Sequence, residues 1–163
     1  MRVIIVRSTV IAAIYIALVL LLHPFSYGPI QVRIADMLSP LPYIMGIESV
    51  FALTIGTFIA NIFSPFGIWD MAIGTLCTFI YSIANYIIGK VFGYRRWLLP
   101  IIALIDSTIV GIFIGIILLG YIFEAGQALP LFIFVTIGNL IATLPGAVIV
   151  IPAIRRILVA KRR

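Results

Sequence analysis

Four stretches of this chain are long and apolar enough to cross a lipid bilayer, and this feature limits what the chain can fold into. They cover residues 7–22 (the shortest), 71–89, 97–120 and 130–150. A helix needs roughly 20 apolar residues to cross a hydrocarbon layer about 30 Å thick. Hydrophobic residues make up 64% of the chain and charged residues only 10%, too few to cover a water-soluble domain. We therefore predict an all-α polytopic integral membrane protein.

A fifth apolar segment, residues 37–63, is interrupted by Pro40, Pro42, Gly46 and Glu48. Proline inside a helix removes a hydrogen bond and clashes with the preceding turn. We interpret the segment as two short crossings that meet near Gly46, which gives six helices in all. The first of these two is too short to span the bilayer alone, so neighbouring helices must shield its backbone.

The basic residues predict the orientation of the helices. All Lys and Arg residues except Arg33 lie in three clusters at the ends of apolar segments: Arg2 and Arg7; Lys90, Arg95 and Arg96; and Arg155 to Arg163. Cytoplasmic loops carry an excess of Lys and Arg, and six crossings place all three clusters on one side. We expect one domain, residues 1–163, that forms a compact six-helix transmembrane bundle in a prokaryotic cell membrane. Both termini, including a basic tail at about residues 155–163, would be cytoplasmic.

The sequence lacks the residues that several kinds of chemistry require. The net charge of +6 is explained by this topology, so we expect no nucleic-acid partner. No Gly-x-x-x-x-Gly-Lys-Ser/Thr loop is present, so the chain cannot hydrolyse ATP through one. One His and one Cys do not make a plausible zinc site, and no serine has the pattern of a nucleophile. We expect no enzyme activity, no metal and no cofactor.

Polar and aromatic residues gather in the loops that this topology places outside, residues 23–36, 64–70 and 121–129. Arg33 is the only basic residue there, and Asp36 follows three residues later; Asn61, Trp69 and Asp70 flank the next outer turn. A few polar groups that converge in an apolar bundle are typical of a small-molecule site. The simpler alternatives are a surface ion pair of Arg33 with Asp36 and an interfacial aromatic belt.

Two polar residues, Asp106 and Asn139, lie inside predicted crossings. Inserting an ionisable residue at this depth costs about 2.5–3.5 kcal/mol on insertion scales, so we expect such a residue to have a structural or functional role. If the last two helices are antiparallel neighbours, both side chains lie near the bilayer midplane, where they are candidate ligand contacts. Alternatively they bond to each other, or to Ser107 and Thr108, and hold the helices together.

Several stretches of the chain resemble QueT-type queuosine-precursor transporters. They are residues 12–17 (AAIYIA), 27–38 (YGPIQVRIADML), 59–64 (IANIFS), 67–70 (GIWD) and 74–76 (GTL). The resemblance is strong over residues 8–80 and faint beyond. Members of this family are S components, the substrate-binding subunits of energy-coupling factor (ECF) transporters.

The resemblance implies a six-helix bundle that captures its ligand from outside and works with a transmembrane coupling subunit and two cytoplasmic ATPases. It implies that Ala13 and Ala17, a small-residue pair at spacing four, face the coupling subunit. It also places Arg33, Asp36, Asn61 and Asp70 at polar positions near the outer pocket. The family more usually has Glu at the positions of Asp36 and Asn139, and the missing carboxylate at Asn139 leaves aminomethyl and nitrile precursors equally plausible.

We therefore expect the chain to bind a 7-deazaguanine base. Its N–H edge would donate to Asp36 or Asp70, its carbonyl would accept from Arg33 or Asn61, and its ring would stack on Trp69 or Tyr43. One alternative is an S component for another vitamin, such as a flavin or thiamine. Another is a passive, holin-like channel, which requires a continuous polar stripe along a helix. We expect no such stripe.

Overall fold

The structure, a computed structural model, describes residues 2–22 and 32–160 of the 163-residue chain. All regular secondary structure in these ranges is helical, as the sequence predicts. The helices are α1 (Arg2–Leu21), α2 (Pro42–Met45, preceded by the 3-10 helix Ile34–Leu38), α3 (Ile47–Asn61), α4 (Gly67–Phe92), α5 (Leu98–Ile122) and α6 (Ala128–Ala160). Most of the first predicted outer loop, residues 23–31, lies outside the described residues, as do residues 161–163 of the predicted tail.

Three helices, α4, α5 and α6, are long and apolar enough to cross a membrane, while the apolar parts of α1 and α3 are shorter. Many large apolar side chains on these helices point outward, among them Ile87, Ile101 and Ile141. A water-soluble protein rarely exposes so much contiguous apolar surface. These helices indicate a membrane protein; the number of crossings remains a prediction.

The break predicted near Gly46 is confirmed. Gly46 has φ +89°, a conformation that L side chains rarely adopt, and it separates α2 from α3. The four-residue α2 and the 3-10 helix before it are too short to cross a bilayer. Helices α1, α4 and α6 surround them, and most residues from Ala35 to Tyr43 are buried. This enclosure agrees with the prediction that neighbouring helices shield the second segment.

Two glycines allow the neighbouring helices to approach this short segment closely. A Cβ on Gly89 of α4 would clash with the backbone of Tyr43, and one on Gly146 of α6 would clash with the backbone of Met37. Gly146 follows Pro145, where α6 widens into π-helical turns, Gly146–Val150. Because proline cannot donate a helical hydrogen bond, a local change of helix geometry at this point is expected.

The described residues of the three basic clusters lie at one end of the bundle. One cleft is lined by Arg7 from α1, Tyr94 from the α4–α5 loop and Arg155 from α6. Arg155 stacks 3.9 Å above the Tyr94 ring, and Arg7 lies 3.7 Å from Glu48. Helix α1 therefore begins at the end of the bundle where α6 finishes, which agrees with the predicted topology. Which side of the membrane this end faces remains a prediction.

Helix α6 continues past the predicted boundary at residue 150. It runs to Ala160 and includes Arg155 and Arg156, which were expected to belong to a basic tail. Both side chains are exposed, so the helix can carry them beyond the apolar layer without burying charge. The hydrophobic pattern therefore predicts where the apolar surface of α6 ends. It does not predict where the helix itself ends.

Candidate functional site

A small cavity of about 20 Å³ lies inside the bundle, and polar side chains make up much of its lining. Residues from the 3-10 helix and four of the helices line it: Tyr15 (α1), Arg33 and Asp36 (the start of the 3-10 helix), Gly74, Cys77, Thr78 and Tyr81 (α4), Val110 and Ile114 (α5), and Asn139 (α6). The space between these side chains is narrow, with room for molecules the size of water. A flat heterocycle can enter only if the lining side chains move apart.

Asp36 is buried at the cavity wall and accepts one hydrogen bond on each carboxylate oxygen. The Tyr15 hydroxyl donates to Oδ1 over 2.8 Å, and the Asn139 amide donates to Oδ2 over 2.6 Å. Asn139 Oδ1 in turn accepts from Ser107 and Thr143, at 3.0 and 2.9 Å. This arrangement fixes the Asn139 amide with its nitrogen toward Asp36.

Arg33 and Asp70 form a buried ion pair beside the same cavity. Arg33 Nη2 lies 3.0 Å from Asp70 Oδ2, which also accepts a 2.6 Å hydrogen bond from Ser64. Asn61 donates to the Asp70 backbone carbonyl over 2.9 Å. Asp70 Oδ1 is buried and has no hydrogen-bond partner among the described residues. The pair is therefore anchored at several points, and the Arg33 side chain is presented to the cavity.

Gly74 makes this anchoring sterically possible. A Cβ at this position would lie 2.5 Å from Asn61 Nδ2 and 2.9 Å from Asp70 Oδ1. Real Cβ atoms do not approach other atoms so closely, so any larger residue must displace Asn61 or Asp70.

Asp106 lies in a neighbouring polar cluster and does not line the cavity. Its carboxylate accepts from the Asn85 amide at 2.9 and 3.0 Å and from the Ser39 hydroxyl at 2.7 Å. Asn85 also donates to the backbone carbonyl of Ser39 over 3.2 Å. The cluster joins α4 and α5 to the segment before α2, which is the helix-joining role that the sequence left open for Asp106.

The structure brings five of the seven predicted site residues into one connected region: Arg33, Asp36, Asn61, Asp70 and Asn139. Trp69 is 52% exposed and does not line the cavity. Tyr43, the other predicted stacking residue, lies elsewhere, because its hydroxyl bonds to Gly93 and Arg95 near the basic end. The aromatic rings that do line the cavity are those of Tyr15 and Tyr81.

A polar stripe along α4 could have revealed several residues that the sequence reasoning missed. Asp70, Gly74, Thr78, Tyr81 and Asn85 recur every three or four positions and are all buried. Residues at this spacing share one face of a helix. Gly74 and Cys77 also lie on this buried face, so its polar residues do not form the continuous stripe that the channel alternative requires. The stripe faces the bundle interior, where Thr78 bonds to Thr57 and Asn85 to Asp106.

These features define a helical membrane protein that encloses a polar cavity between its helices. A family model described as QueT transporter matches residues 5–156. The chain therefore belongs to the QueT transporter family and is a membrane transport protein. The match confirms the resemblance noted over residues 8–80 and extends it over most of the remaining sequence. Neither curated proteins nor solved structures gave a match.

Proposed function

We propose that the chain is the substrate-binding subunit of an ECF-type uptake transporter in a prokaryotic plasma membrane. It captures a 7-deazaguanine base, a queuosine precursor, from outside the cell. A transmembrane coupling subunit and two cytoplasmic ATPases then drive its translocation. The observation that carries this proposal is the buried carboxylate of Asp36 at the wall of an internal cavity, in a chain of a transporter family.

The lining residues supply the groups that such a base requires. The carboxylate of Asp36 accepts N–H donors from the base edge, and the guanidinium of Arg33 donates to its carbonyl. Asn61 and Asp70 hold Arg33 in place. The rings of Tyr15 and Tyr81 provide faces for stacking, which contributes roughly 1–3 kcal/mol per base in nucleic-acid complexes. Because Trp69 does not line the cavity, stacking inside it falls to the two tyrosines.

The outer face of α1 supports the proposed contact with a coupling subunit. Ala13 and Ala17 are both exposed, and Ala13 lines a shallow, largely apolar groove between α1 and α3. Small residues at spacing four let a second helix approach closely within a membrane. On the opposite face of α1, the Tyr15 ring packs against Gly56 of α3. A Cβ placed on Gly56 would lie 3.3 Å from this ring.

A binding titration tests this function. The purified chain in lipid nanodiscs is titrated with aminomethyl and nitrile 7-deazaguanine bases, riboflavin and thiamine. We expect saturable binding of at least one deazaguanine base, and no binding of the two vitamins. Binding of a vitamin alone would make the chain an S component of another specificity. Ion conductance through the chain alone in pure liposomes, without ATPases, would instead support the channel alternative.

A further inference from the structure

A groove of about 490 Å³ lies on the surface of the bundle, between the start of α5 and the last turns of α6. Apolar side chains form most of its wall, among them Leu99 from α5 and Val148 and Ile149 from α6. Val148 and Ile149 are exposed, so the groove opens toward the surroundings of the bundle. It shares no lining residue with the polar cavity. In a membrane, a lipid chain or another helix must fill such a groove.

Two arginines belong to the lining of this groove. Arg96 lies two residues before α5 begins at Leu98, and Arg156 lies in the last turns of α6. Ile149 precedes Arg156 by seven residues, which corresponds to roughly 10 Å along a helix. Both guanidinium groups are therefore at the end of the bundle that carries the basic clusters, and the apolar wall continues from there toward the middle of the bundle.

Neither arginine has an acidic partner in the part of the chain that the structure describes. All five Asp and Glu residues of the sequence are among the described residues. The ion pairs that these acids form within 4.0 Å are with Arg7 and Arg33. Arg96 and Arg156 are both exposed. The groove therefore presents two positive charges that no carboxylate side chain of this protein neutralises.

Trp97 indicates the depth of these charges in a membrane. It follows Arg96 in the chain, directly before α5, and its side chain is 63% exposed. Tryptophan is enriched where a membrane meets water, because its ring is apolar and its N–H group is polar. The two guanidinium groups of the groove therefore lie at the level of the lipid headgroups, and the apolar wall lies at the level of the acyl chains.

From these features we propose that the groove binds one anionic phospholipid. The phosphate of the lipid accepts hydrogen bonds from Arg96 and Arg156. One of its acyl chains lies along Leu99, Val148 and Ile149. The planar guanidinium group can bind a phosphate through two parallel N–H bonds, and basic pockets between membrane helices bind anionic headgroups. This proposal does not depend on which ligand the polar cavity takes.

The shape and charge of the groove favour this occupant over two others. A free phosphate ion would leave the apolar wall uncovered. A helix of a partner protein would cover the wall, but it would need acidic groups at its end that reach both arginines. An anionic phospholipid supplies the acyl chain and the net negative charge in one molecule. Phosphatidylcholine does not, because its own cation offsets the charge of its phosphate.

The test measures which lipids remain bound to the full chain. The protein is reconstituted in nanodiscs that contain equal amounts of phosphatidylglycerol and phosphatidylcholine with identical acyl chains. Native mass spectrometry then counts the lipids that the released protein retains. We expect one phosphatidylglycerol to be retained in preference to phosphatidylcholine, and an equal concentration of glycerol 3-phosphate should not displace it. Equal retention of the two lipids, or displacement by the soluble anion, would overturn the proposal.

Charge variants locate the headgroup. Arg96→Gln and Arg156→Gln should each lower the preference for phosphatidylglycerol about fivefold, and the double variant about 25-fold, from the usual attraction of one basic side chain to anionic lipid. The matched control is the double variant Lys90→Gln with Arg95→Gln. It removes two exposed charges of the same basic cluster that do not line the groove, and it should change the preference by less than about threefold. Equal losses in the two double variants would show that general positive charge attracts the lipid, and would reject the site.

A further variant tests the place of the acyl chain. Ala153 lines the groove and is exposed, so Ala153→Trp fills the space while both arginines remain. Retention of phosphatidylglycerol should fall about fivefold or more. Ile157→Trp, at an exposed position of α6 outside the groove, should retain the lipid as the wild type does. Wild-type retention by Ala153→Trp would overturn the proposal.

The variants also distinguish the lipid from a protein partner. Loss of co-purification with a coupling subunit in the Arg96→Gln, Arg156→Gln double variant, together with an unchanged lipid preference, would assign the groove to a helix of that subunit. The lipid proposal would then be wrong.

Discussion

Asn139 of α6 donates a 2.6 Å hydrogen bond to Asp36, a residue 103 positions earlier in the chain. The same carboxylate accepts a bond from Tyr15 of α1. One acidic side chain therefore ties the first and last helices to the short segment between them. Because a ligand that contacts Asp36 must share these bonds or replace them, we expect binding to change how α1 and α6 are held.

Replacing Asp36 with Asn should weaken binding of the preferred base by about 1–3 kcal/mol, the scale of one bidentate contact to a base. The amide keeps the size of the side chain but loses one acceptor and the charge. Calorimetric titration of the purified variant measures the change. An affinity equal to that of the wild type would remove Asp36 from the binding site.

Replacing Tyr15 with Phe should lower the stability of the bundle by about 1–3 kcal/mol, because one oxygen of a buried carboxylate loses its donor. The ring remains and still packs against Gly56. Denaturation in mixed micelles measures the loss. Tyr121→Phe, at an exposed position near the end of α5, is the matched control, and it should change stability by less than about 0.5 kcal/mol. Equal effects of the two variants would show that the bond to Asp36 contributes little.

Replacing Gly74 with Ala should weaken ligand binding at least several-fold, because the added methyl group displaces Asn61 or Asp70 and with them Arg33. The affinity of the variant for the base checks this expectation. Gly120→Ala in α5 is a control: there the nearest atom to an added Cβ is 3.3 Å away, a contact that small shifts relieve. Wild-type binding by Gly74→Ala would mean that the Arg33–Asp70 pair tolerates displacement.

Replacing Ala13 with Trp should prevent assembly with the coupling subunit and leave ligand affinity within about twofold of wild type. The bulky ring would fill the groove on the outer face of α1, while the cavity lies on the other face of that helix. Co-purification with the coupling subunit and the ATPases measures assembly. Ile101→Trp, at an exposed position of α5, should assemble normally. Assembly of the Ala13→Trp variant at wild-type yield would place the contact elsewhere.

The sequence predicts those parts of the fold that depend on local chemistry. Gly46 and the two prolines mark the break before α3, because each has a direct effect on backbone geometry. The basic clusters predict that both chain ends lie together, and the structure places Arg7 and Arg155 at one cleft. Arg33, Asp36 and Asp70 lie near one another in the structure, and the sequence indicates this because each is close to a predicted outer turn.

The remaining features of the site depend on how the packed helices are rotated and on how deep each residue lies. Local sequence does not show either. The sequence marks Tyr15 only as part of a stretch that resembles the family, since nothing local shows that its hydroxyl reaches Asp36, 21 positions later in the chain. Trp69 and Asp70 are adjacent, yet the first is exposed and the second is buried. Their difference follows from the face that α4 turns inward. The partners of Asp106 likewise depend on how α4 meets α5.

The close contact of Gly146 with Met37 has a consequence for how the protein is made. Residues 32–46 cannot settle among their neighbours until the last helix has been synthesised, because α6 supplies both this contact and the Asn139 bond. The cavity therefore stays incomplete until α6 has been made and has packed against residues 32–46. A chain cut short before α6 leaves the buried Asp36 carboxylate without its amide partner.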